Sequence, residues 1–347
     1  MKNAYTLLFC SIMFLIVESC KKNTAEEATV LPQPVVVPKI ILPGSWLQKA
    51  DAPFLPRYLA CGFSIGSKGY VGAGQTPDTG SVSYFTDWWE YDPTADHWTS
   101  RASIPFSNGF WAGVSFVIND KGYLGIGNTD SVLTKQLWQY DATANSWTRK
   151  TDFPGNWKSG AIGLSIGNKG YVGLGANNND SVNNPQYPTG GRDWWEYDPA
   201  IDQWTQKSDF PGPSKEFLIG LVINNKIYLG LGEVYGGNFA SWWEYDPAAD
   251  HWTQKSDWPG LGAEDGGYLA GFTIANKGYV VGQTKCWAYD PALDSWTQQA
   301  FCTDLRSHGV AFSIAGQGYF TTGWNVLNNY QTQNDLWEFT PPRNMNW

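Results

Sequence analysis

Histidine, methionine and charged side chains are scarce in this sequence of 347 residues. It has three His and three Met, and Asp, Glu, Lys and Arg together make up only 16% of the chain. No Cys-x-x-Cys pair, phosphate-binding glycine loop or His-Glu-x-x-His motif occurs, which excludes the commonest zinc, nucleotide and metalloprotease sites. We therefore expect no cofactor and no bound metal.

Positive charge is also in short supply. There are 23 Lys and Arg residues against 32 Asp and Glu residues, so the formal net charge is −9. Binding to nucleic acid needs a basic surface that neutralises phosphates, and an acidic chain is poorly suited to it. We expect no nucleic-acid partner.

The apolar stretch over residues 4–17 is too short to span a bilayer, which needs roughly 20 apolar residues. It follows Lys2 and precedes Ser19-Cys20, which is the order of an export signal. The sequence Val17-Glu18-Ser19-Cys20 resembles a bacterial lipoprotein processing site. We interpret residues 1–20 as a signal peptide that ends at a lipidated Cys20, with ordinary signal cleavage nearby as the alternative.

Residues 21–44 are rich in Pro, Val and Thr without a helical period, and we interpret them as an extended linker. Glu26-Glu27 near its start resembles the acidic surface-export tags of Bacteroidetes lipoproteins. These features predict an exported chain of the bacterial cell envelope. A lipid would anchor it to the outer membrane, on the periplasmic or the outer side.

Glycine and aromatic residues are abundant by contrast. The sequence has 38 Gly and 20 Trp, and aromatics make up 16% of it, as is typical of sheet proteins with tight turns. One block recurs six times, with a period of about 50 residues. Its clearest element is an aromatic strand, Trp-Glu-Tyr-Asp-Pro or a variant, that begins at Trp88, Leu137, Trp194, Trp242, Cys286 and Leu336.

Each copy predicts four strands joined by tight turns. The first is apolar, as in residues 218–223, and a turn such as Asn168-Lys169-Gly170 leads to a second strand with a Gly-Tyr pair or its equivalent. The aromatic strand is the third, and an Asp-Pro turn leads to a fourth strand that carries a Trp. We interpret aromatics that recur at one repeat position as packing between sheets.

The two ends of the chain predict closure of the fold. Residues 45–51 match residues 252–257, which form a fourth strand, and the last copy ends before its own fourth strand. An N-terminal strand that completes the last unit would remove both unpaired edges. The sequence therefore predicts an all-β, six-bladed β-propeller of four-stranded blades over residues 45–347.

The repeated Gly-Tyr, Trp-Glu-Tyr-Asp-Pro and Trp-Thr-Gln-Lys elements resemble those of bacterial Kelch-repeat proteins, a group that includes the central domain of galactose oxidase. The resemblance implies a Kelch-type fold and no single activity, because such propellers include binding modules, that copper oxidase and N-acetylneuraminate epimerase. Galactose oxidase binds copper through two His and two Tyr. Of His97, His251 and His308, only His308 lies near the predicted mouth of the channel, so a copper site is not expected.

The predicted site lies on the face where second strands connect to third strands and one blade connects to the next, because these loops vary most between copies. Thirteen residues before the repeated Tyr, four of the six copies carry a cation: Arg57, Lys158, Lys215 and Arg306. These cations form either an anion-attracting funnel for a carboxylate or acidic sugar, or ion pairs and hydrogen bonds to adjacent blades. Both interpretations stay open from the sequence.

Aromatic residues beside these cations are candidates for stacking on a sugar ring or for packing over the core: Tyr58, Trp111, Trp157, Phe217 and Tyr268. Four further groups on the same rim are candidates for proton transfer. They are Glu216, Glu264, Asp265 and His308.

Three cysteines lie beyond the predicted signal peptide. Cys61 occupies an apolar first-strand position and is expected to be a buried free thiol. Cys286 and Cys302 lie on neighbouring strands of one predicted blade. They predict a local disulfide formed after export.

The leading function hypothesis is a non-catalytic binding or scaffold module, a monomer that recognises a glycan or a protein through one loop face. It follows from the loop variation, the rim aromatics and the lack of a recognisable catalytic constellation. The alternative is a carbohydrate-active enzyme similar to N-acetylneuraminate epimerase. Its epimerase- or mutarotase-like activity would use His308 or Glu216 for proton transfer. A purely structural lipoprotein is the third hypothesis.

Overall fold

A computed structural model of the chain describes residues 40–42, 44–77, 82–130, 132–177, 191–232, 240–260, 269–282, 285–300, 306–325 and 331–345. The regular structure in these ranges is β-strand throughout, so the predicted all-β class is confirmed. Within the same ranges, no helix has the length and apolar character needed to cross a membrane. The predicted signal peptide, its Cys20 and most of the predicted linker lie outside the described residues.

Six four-stranded antiparallel sheets make up most of the fold, and we number them by the position of their first strands. The first strands are Cys61–Ile65, Val114–Ile118, Ile162–Ile166, Ile219–Ile223, Ala270–Ile274 and Val310–Ile314. The second strands are Lys68–Gly72, Lys121–Asn128, Lys169–Gly173, Lys226–Gly230, Lys277–Gly282 and Gln317–Thr321. The third strands are Trp88–Asp92, Leu133–Asp141, Trp194–Asp198, Trp242–Asp246, Lys285–Asp290 and Leu336–Thr340. The fourth strands are His97–Arg101, Ser146–Lys150, Gln203–Lys207, His251–Lys255, Ser295–Gln298 and Ser45–Lys49.

The last of these strands comes from the N-terminal end of the described chain. Ser45–Lys49 pairs antiparallel with Leu336–Thr340, and Trp46 lies opposite Phe339. Ile40–Leu42, which lies inside the predicted linker, also forms a strand and pairs with Arg343–Met345. Two strands near the N-terminus therefore pair with two strands near the C-terminus.

Shorter strands lie at one end of the sheets. Gln75–Pro77 pairs with Val82–Tyr84, and Lys158–Ser159 pairs with Ala176–Asn177. Trp324–Asn325 pairs with both Arg306–Ser307 and Gln331–Thr332. Since the strands of each sheet are antiparallel, this is the end where second strands connect to third strands and one sheet connects to the next. We call it the loop face.

The local sequence explains the tight turns and the alternating burial along the first strands. Asn224 and Asn225 have φ values of 52° and 59°, and two residues with positive φ are what a type I′ hairpin turn requires. In Val310–Ile314, the first, third and fifth residues are buried and the second and fourth are half-buried. This period of two is that of a strand with one face packed in the core.

Aromatic residues pack between neighbouring sheets, which confirms the interpretation of the repeated positions. The ring centroids of Trp194 in sheet 3 and Trp252 in sheet 4 lie 5.5 Å apart in an edge-to-face arrangement. Trp242 and Trp296 make the same contact between sheets 4 and 5 at 5.2 Å. Such pairs add stability beyond the apolar area that they bury.

The Trp of each fourth strand also donates a hydrogen bond to the preceding sheet. The acceptor is a backbone carbonyl just beyond the fourth strand of that sheet. The six bonds are Trp46 to Ala300 at 3.2 Å, Trp98 to Ala50 at 3.0 Å, Trp147 to Ala102 at 2.9 Å, Trp204 to Thr151 at 3.1 Å, Trp252 to Ser208 at 2.9 Å and Trp296 to Ser256 at 3.0 Å. One bond of this series, from Trp98 to Ala50, joins sheet 1 to sheet 6.

Candidate functional site

Three of the four predicted rim cations are buried and form ion pairs with partly buried aspartates. The Nη1 and Nη2 atoms of Arg57 lie 2.6 and 3.0 Å from the two carboxylate oxygens of Asp87. Lys158 Nζ lies 2.6 Å from Asp193 Oδ1, and Arg306 Nη2 lies 2.6 Å from Asp335 Oδ2. Relative exposure is 1% for Arg57 and 0% for Lys158 and Arg306. This burial favours the ion-pair interpretation of these cations over the funnel.

The aspartate partner of each of these three cations lies in the same sheet, whereas the sequence had suggested ion pairs or hydrogen bonds to adjacent blades. Each Asp immediately precedes the third strand of its sheet, and it also accepts a hydrogen bond from the indole of the Trp two residues later. The indole distances are 2.7 Å for Trp89 to Asp87, 2.9 Å for Trp195 to Asp193 and 2.7 Å for Trp337 to Asp335. One carboxylate thus ties the segment before the first strand to the third strand. Burial lowers the pKa of Arg57 from its usual value, and the Asp87 carboxylate opposes that shift.

Lys215 in sheet 4 has a different partner. Its Nζ donates a hydrogen bond of 2.8 Å to Ser241 Oγ, and Ser241 occupies the position that holds an Asp in sheets 1, 3 and 6. The side chain is buried, and this burial lowers the pKa of Lys215 to about 8 although the charge of Asp257 opposes the shift. The neighbouring Glu216 is half-buried.

Sequence reasoning missed the three aspartates, although a signal for them exists. Asp87, Asp193 and Asp335 occur in the same repeat copies as Arg57, Lys158 and Arg306. The same two repeat positions hold Phe110 and Gln136 in the second copy, and Gly266 and Lys285 in the fifth. A comparison of these two positions across the copies would have indicated the ion pairs.

A small cavity of about 190 Å³ lies on the loop face, where the first strands begin. We call it the mouth cavity. Its wall includes five residues at one repeat position, two residues before a first strand, and each has a left-handed φ. They are Leu59 (53°), Ala112 (49°), Gly160 (58°), Phe217 (54°) and His308 (56°). A bulky residue rarely adopts this conformation, and such strain is often found at functional sites.

Backbone hydrogen bonds join these five residues in series around the mouth cavity. Leu59 N–H donates to the His308 carbonyl at 3.2 Å, and Ala112 N–H donates to the Leu59 carbonyl at 3.1 Å. Gly160 donates to Ala112 at 3.1 Å, and Phe217 donates to Gly160 at 2.8 Å. The equivalent residue of the fifth copy, Tyr268, lies outside the described residues. Because the five side chains have little in common, the sequence carries no signal for this series.

Four aromatic side chains form a group at the mouth cavity, and we call Tyr58, Phe217, His308 and Trp324 the mouth cluster. Phe217 and His308 line the cavity, and Tyr58 and Trp324 contact His308. Tyr58 stacks on Trp324 with centroids 4.3 Å apart and planes at 19°. His308 makes edge contacts with Trp324 at 5.2 Å, Phe217 at 5.3 Å and Tyr58 at 5.9 Å. The Tyr58 hydroxyl accepts a hydrogen bond of 2.6 Å from Gln75 Nε2. Trp324 and Gln75 belong to this surface but were not predicted from the sequence.

Burial sets the protonation state of the mouth cluster. It lowers the pKa of His308 to about 3, so the imidazole is neutral at physiological pH. It also raises the pKa of Tyr58. The cluster therefore presents neutral aromatic groups and hydrogen-bonding atoms, and no formal charge.

Two other predicted aromatics lie apart from the mouth cluster. Trp111 is half-buried and stacks on Tyr84 with centroids 6.2 Å apart. Trp157 is 44% exposed, and Lys135 Nζ lies 5.3 Å from the centre of its ring. Both remain candidates for contacts with a partner on the loop face.

A larger cavity of about 420 Å³ lies beneath the mouth cavity and is lined by residues from the first strands of all six sheets. We call it the central cavity. Ala60, Ser115 and Gly309 line both cavities, so the two adjoin. In the described part of the chain, the residues that line them include no Asp, Glu, Lys or Arg.

The remaining predicted positions concern cysteines and the fifth copy. Cys61 is a buried free thiol as predicted, and burial raises its pKa to about 12. Cys286 is buried, but Cys302 lies outside the described residues, as do Glu264 and Asp265. The disulfide between Cys286 and Cys302 therefore stays a prediction, which mass measurement with and without reductant would decide.

Comparison with known proteins bears on the fold. No family model and no curated protein match the sequence. A solved structure titled "Structure of YjhT" is similar to this chain with a TM-score of 0.68 at 16% identity, and the match covers 85% of this chain and 99% of the other. A likeness at this low identity concerns the fold alone. Together with the repeated four-stranded sheets, it supports a β-propeller fold for this chain.

Proposed function

We propose that this chain is a six-bladed, Kelch-type β-propeller of the bacterial cell envelope that binds a neutral glycan at the mouth cluster. The blades are sheets 1 to 6. The Kelch type rests on the repeat elements of the sequence, and the envelope location rests on the predicted lipidation of Cys20. The propeller comprises residues 45–347 and would bind its ligand as a monomer.

Contacts between sheets 6 and 1 support a closed ring of blades. The first strands of these two sheets lie beside each other, as do those of every consecutive pair. The Leu59 amide bonds to the His308 carbonyl on the loop face, and the Trp98 indole bonds to the Ala50 carbonyl. In a ring of this kind every blade packs against two neighbours, and only short, protected sheet edges remain.

The observation that carries the proposed function is the aromatic mouth cluster beside two adjoining cavities, whose described lining residues carry no charge. Aromatic rings pack against the C–H faces of a sugar, and nearby hydroxyl and amide groups fix its orientation. A neutral sugar is favoured over an acidic one, because Arg57, Lys158 and Arg306 are already buried in ion pairs. A ligand carboxylate at the mouth would lose hydration without gaining these cations as partners.

The test is calorimetric titration of the purified domain with linear hexasaccharides of glucose, mannose, galactose and xylose, and with N-acetylneuraminate as the acidic probe. We expect at least one neutral hexasaccharide to bind and the acidic sugar not to bind. Trp324→Ala should weaken binding at least tenfold, because it removes the stacked ring. Leu293→Ala is the control and should bind like the parent chain, because Leu293 is 73% exposed and lies in a turn between a third and a fourth strand, at the end opposite the loop face.

Two outcomes would contradict this proposal. Binding of N-acetylneuraminate alone would indicate a charged site, and failure of every sugar would indicate recognition of a protein by the loop face. The lipid anchor has a separate test, since Cys20→Ser should move the protein from the membrane fraction to the soluble fraction of the cell envelope.

A second candidate function is the carbohydrate-active enzyme similar to N-acetylneuraminate epimerase. The position of His308 in the wall of the mouth cavity favours it, because its ring is placed to meet a bound sugar. Its lowered pKa makes the imidazole a weak base, which opposes this activity. Its ring Nδ1 lies 3.4 Å from Ser307 Oγ. Proton NMR of freshly dissolved sugar anomers would show faster interconversion that His308→Gln abolishes. An unchanged rate with the parent chain would exclude this activity for the sugars tested.

A further inference from the structure

The wall of the central cavity has two layers with different chemistry. The second residue of each first strand forms the layer next to the mouth: Gly62, Ser115, Gly163, Gly220, Gly271 and Ala311. The fourth residue forms the deeper layer: Ser64, Val117, Ser165, Val222, Thr273 and Ser313. Residues two apart on a strand face the same side, about 7 Å apart along it. The wall therefore has small groups in the layer next to the mouth, and four hydroxyl groups and two valines in the deeper layer.

Packing between neighbouring first strands keeps the upper layer free of bulky side chains. A Cβ atom on Gly62 would lie 2.5 Å from Val310 Cγ1, and one on Gly271 would lie 2.7 Å from Ile219 Cγ2. Glycine is thus required at these positions for the strands to approach. The wall just below the mouth therefore consists largely of backbone groups and small side chains.

The deeper layer offers hydrogen bonds but no formal charge. Ser64, Ser165, Thr273 and Ser313 contribute hydroxyls that can both donate and accept. A charged group placed there would lose its hydration without an opposite charge among the described lining residues. A neutral polyol can exchange its hydrogen bonds with water for bonds to these hydroxyls. A volume of about 420 Å³ lies within the usual range for small-ligand pockets.

Building on the proposed function, we infer that the protein recognises the end of a neutral glycan chain. The terminal sugar enters the central cavity and bonds to the hydroxyl layer, and the next sugar stacks on the mouth cluster. The first strands of all six sheets enclose the cavity, so an internal unit of a polysaccharide cannot reach the hydroxyl layer from the side. The substrate class is therefore chain ends rather than chain interiors.

The first arm of the test compares a hexasaccharide with a long linear polymer of the same linkage, for the sugar that binds in the titration. At equal mass of sugar, the hexasaccharide presents many more ends. We expect each sugar to compete for the binding site in proportion to the number of chain ends that it presents, so the hexasaccharide should compete more strongly than the polymer. Equal competition by hexasaccharide and polymer at equal mass would overturn the inference.

The second arm removes the hydroxyls with a triple variant, Ser64→Val, Ser165→Val and Ser313→Val. Val117 and Val222 already occupy this layer, so the fold accepts valine there. Affinity for the hexasaccharide should fall at least tenfold, whereas the exposed Ser100→Val control should leave it unchanged. Undiminished affinity in the triple variant would overturn the inference that the chain end enters the central cavity. The mouth cluster is tested separately by Trp324→Ala. If no sugar bound, the proposed function itself would be contradicted.

Discussion

At the scale of single residues, the buried cations show that a charge on the loop face can have a structural role. Arg57 is 1% exposed and its guanidinium is bonded to Asp87 and to the Ala73 carbonyl. It also lies 4.0 Å from the centre of the Phe85 ring. A buried cation of this kind is stable only while its partner is present, because desolvation of a lone charge is costly.

Asp87→Ala should therefore be strongly destabilising, since it leaves the Arg57 guanidinium buried without its carboxylate. The free energy of unfolding, measured by urea titration, should fall by about 3–5 kcal/mol. Arg57→Met combined with Asp87→Ala should recover most of that loss, because no buried charge is then left unpaired.

Asp152→Ala is the matched control for this experiment. Its pair with Arg149 is 51% exposed at the carboxylate and 42% at the guanidinium, and such a pair contributes about 0–1 kcal/mol. A loss as small for Asp87→Ala as for Asp152→Ala would show that the Arg57 pair does not hold the loop.

At the scale of elements, the turn from third to fourth strand links neighbouring sheets through one carboxylate. In sheet 3, Asp202 Oδ1 accepts hydrogen bonds from the Tyr197 hydroxyl and from the Thr151 amide of sheet 2. Asp96, Asp250 and Asp294 accept the corresponding pairs of bonds. Burial raises the pKa of these carboxyls, but the tyrosine and amide donors outweigh it, and the pKa of each is lowered.

These four carboxyls predict a loss of stability in acid. Because the folded pKa lies below the unfolded value of about 3.9, the contribution to stability is present above that value and is lost as pH falls through the folded pKa. Urea unfolding midpoints should therefore fall as pH is lowered from about 5 to about 3.

Asn145 provides the design of the control, since it occupies this position in sheet 2 and accepts bonds from Tyr140 and Ala102 at 2.9 Å. A variant with Asn at positions 96, 202, 250 and 294 keeps the acceptor but cannot titrate. Its unfolding midpoint should change less over the same pH range. If both proteins lost stability equally, other groups would have to account for the acid sensitivity.

At the scale of the whole molecule, the chain ends determine whether the fold is complete. Ser45–Lys49 supplies the fourth strand of sheet 6, and the Trp46 indole bonds to Ala300 of sheet 5. The strand is separated from its partner Leu336–Thr340 by almost the entire length of the chain. Without it, the third strand of sheet 6 would present an open edge of unpaired backbone groups.

A chain that begins at residue 50 should therefore unfold at a lower temperature and self-associate, whereas one that begins at residue 40 should behave as a monomer. Calorimetry should show a midpoint at least about 10 °C lower for the shorter chain, since several kcal/mol of packing and hydrogen bonding are lost. Size-exclusion chromatography would report the self-association. An unchanged midpoint and a monomeric elution of the shorter chain would contradict the role given to Ser45–Lys49.

Much of the fold is visible in the repeat itself. The period of the aromatic strand predicts the four strands of each unit, because alternation and turn residues are local properties. The match of residues 45–51 to a fourth strand predicts the pairing with Leu336–Thr340, because an unpaired edge must find a partner. Of the predicted mouth aromatics, Tyr58 and Phe217 lie in the mouth cluster, whereas Trp111 and Trp157 lie elsewhere on the loop face.

Sequence alone determined the repeat, the strand order and the aromatic packing, because the same residue types recur at the same positions in successive copies. Only the tertiary structure decided that Arg57 lies against Asp87 instead of facing a channel, and that Tyr58 stacks on Trp324. Those pairs are 30 and 266 residues apart in the chain. Whether a charge or a ring meets solvent or a partner depends on which distant segments the folded sheets bring together.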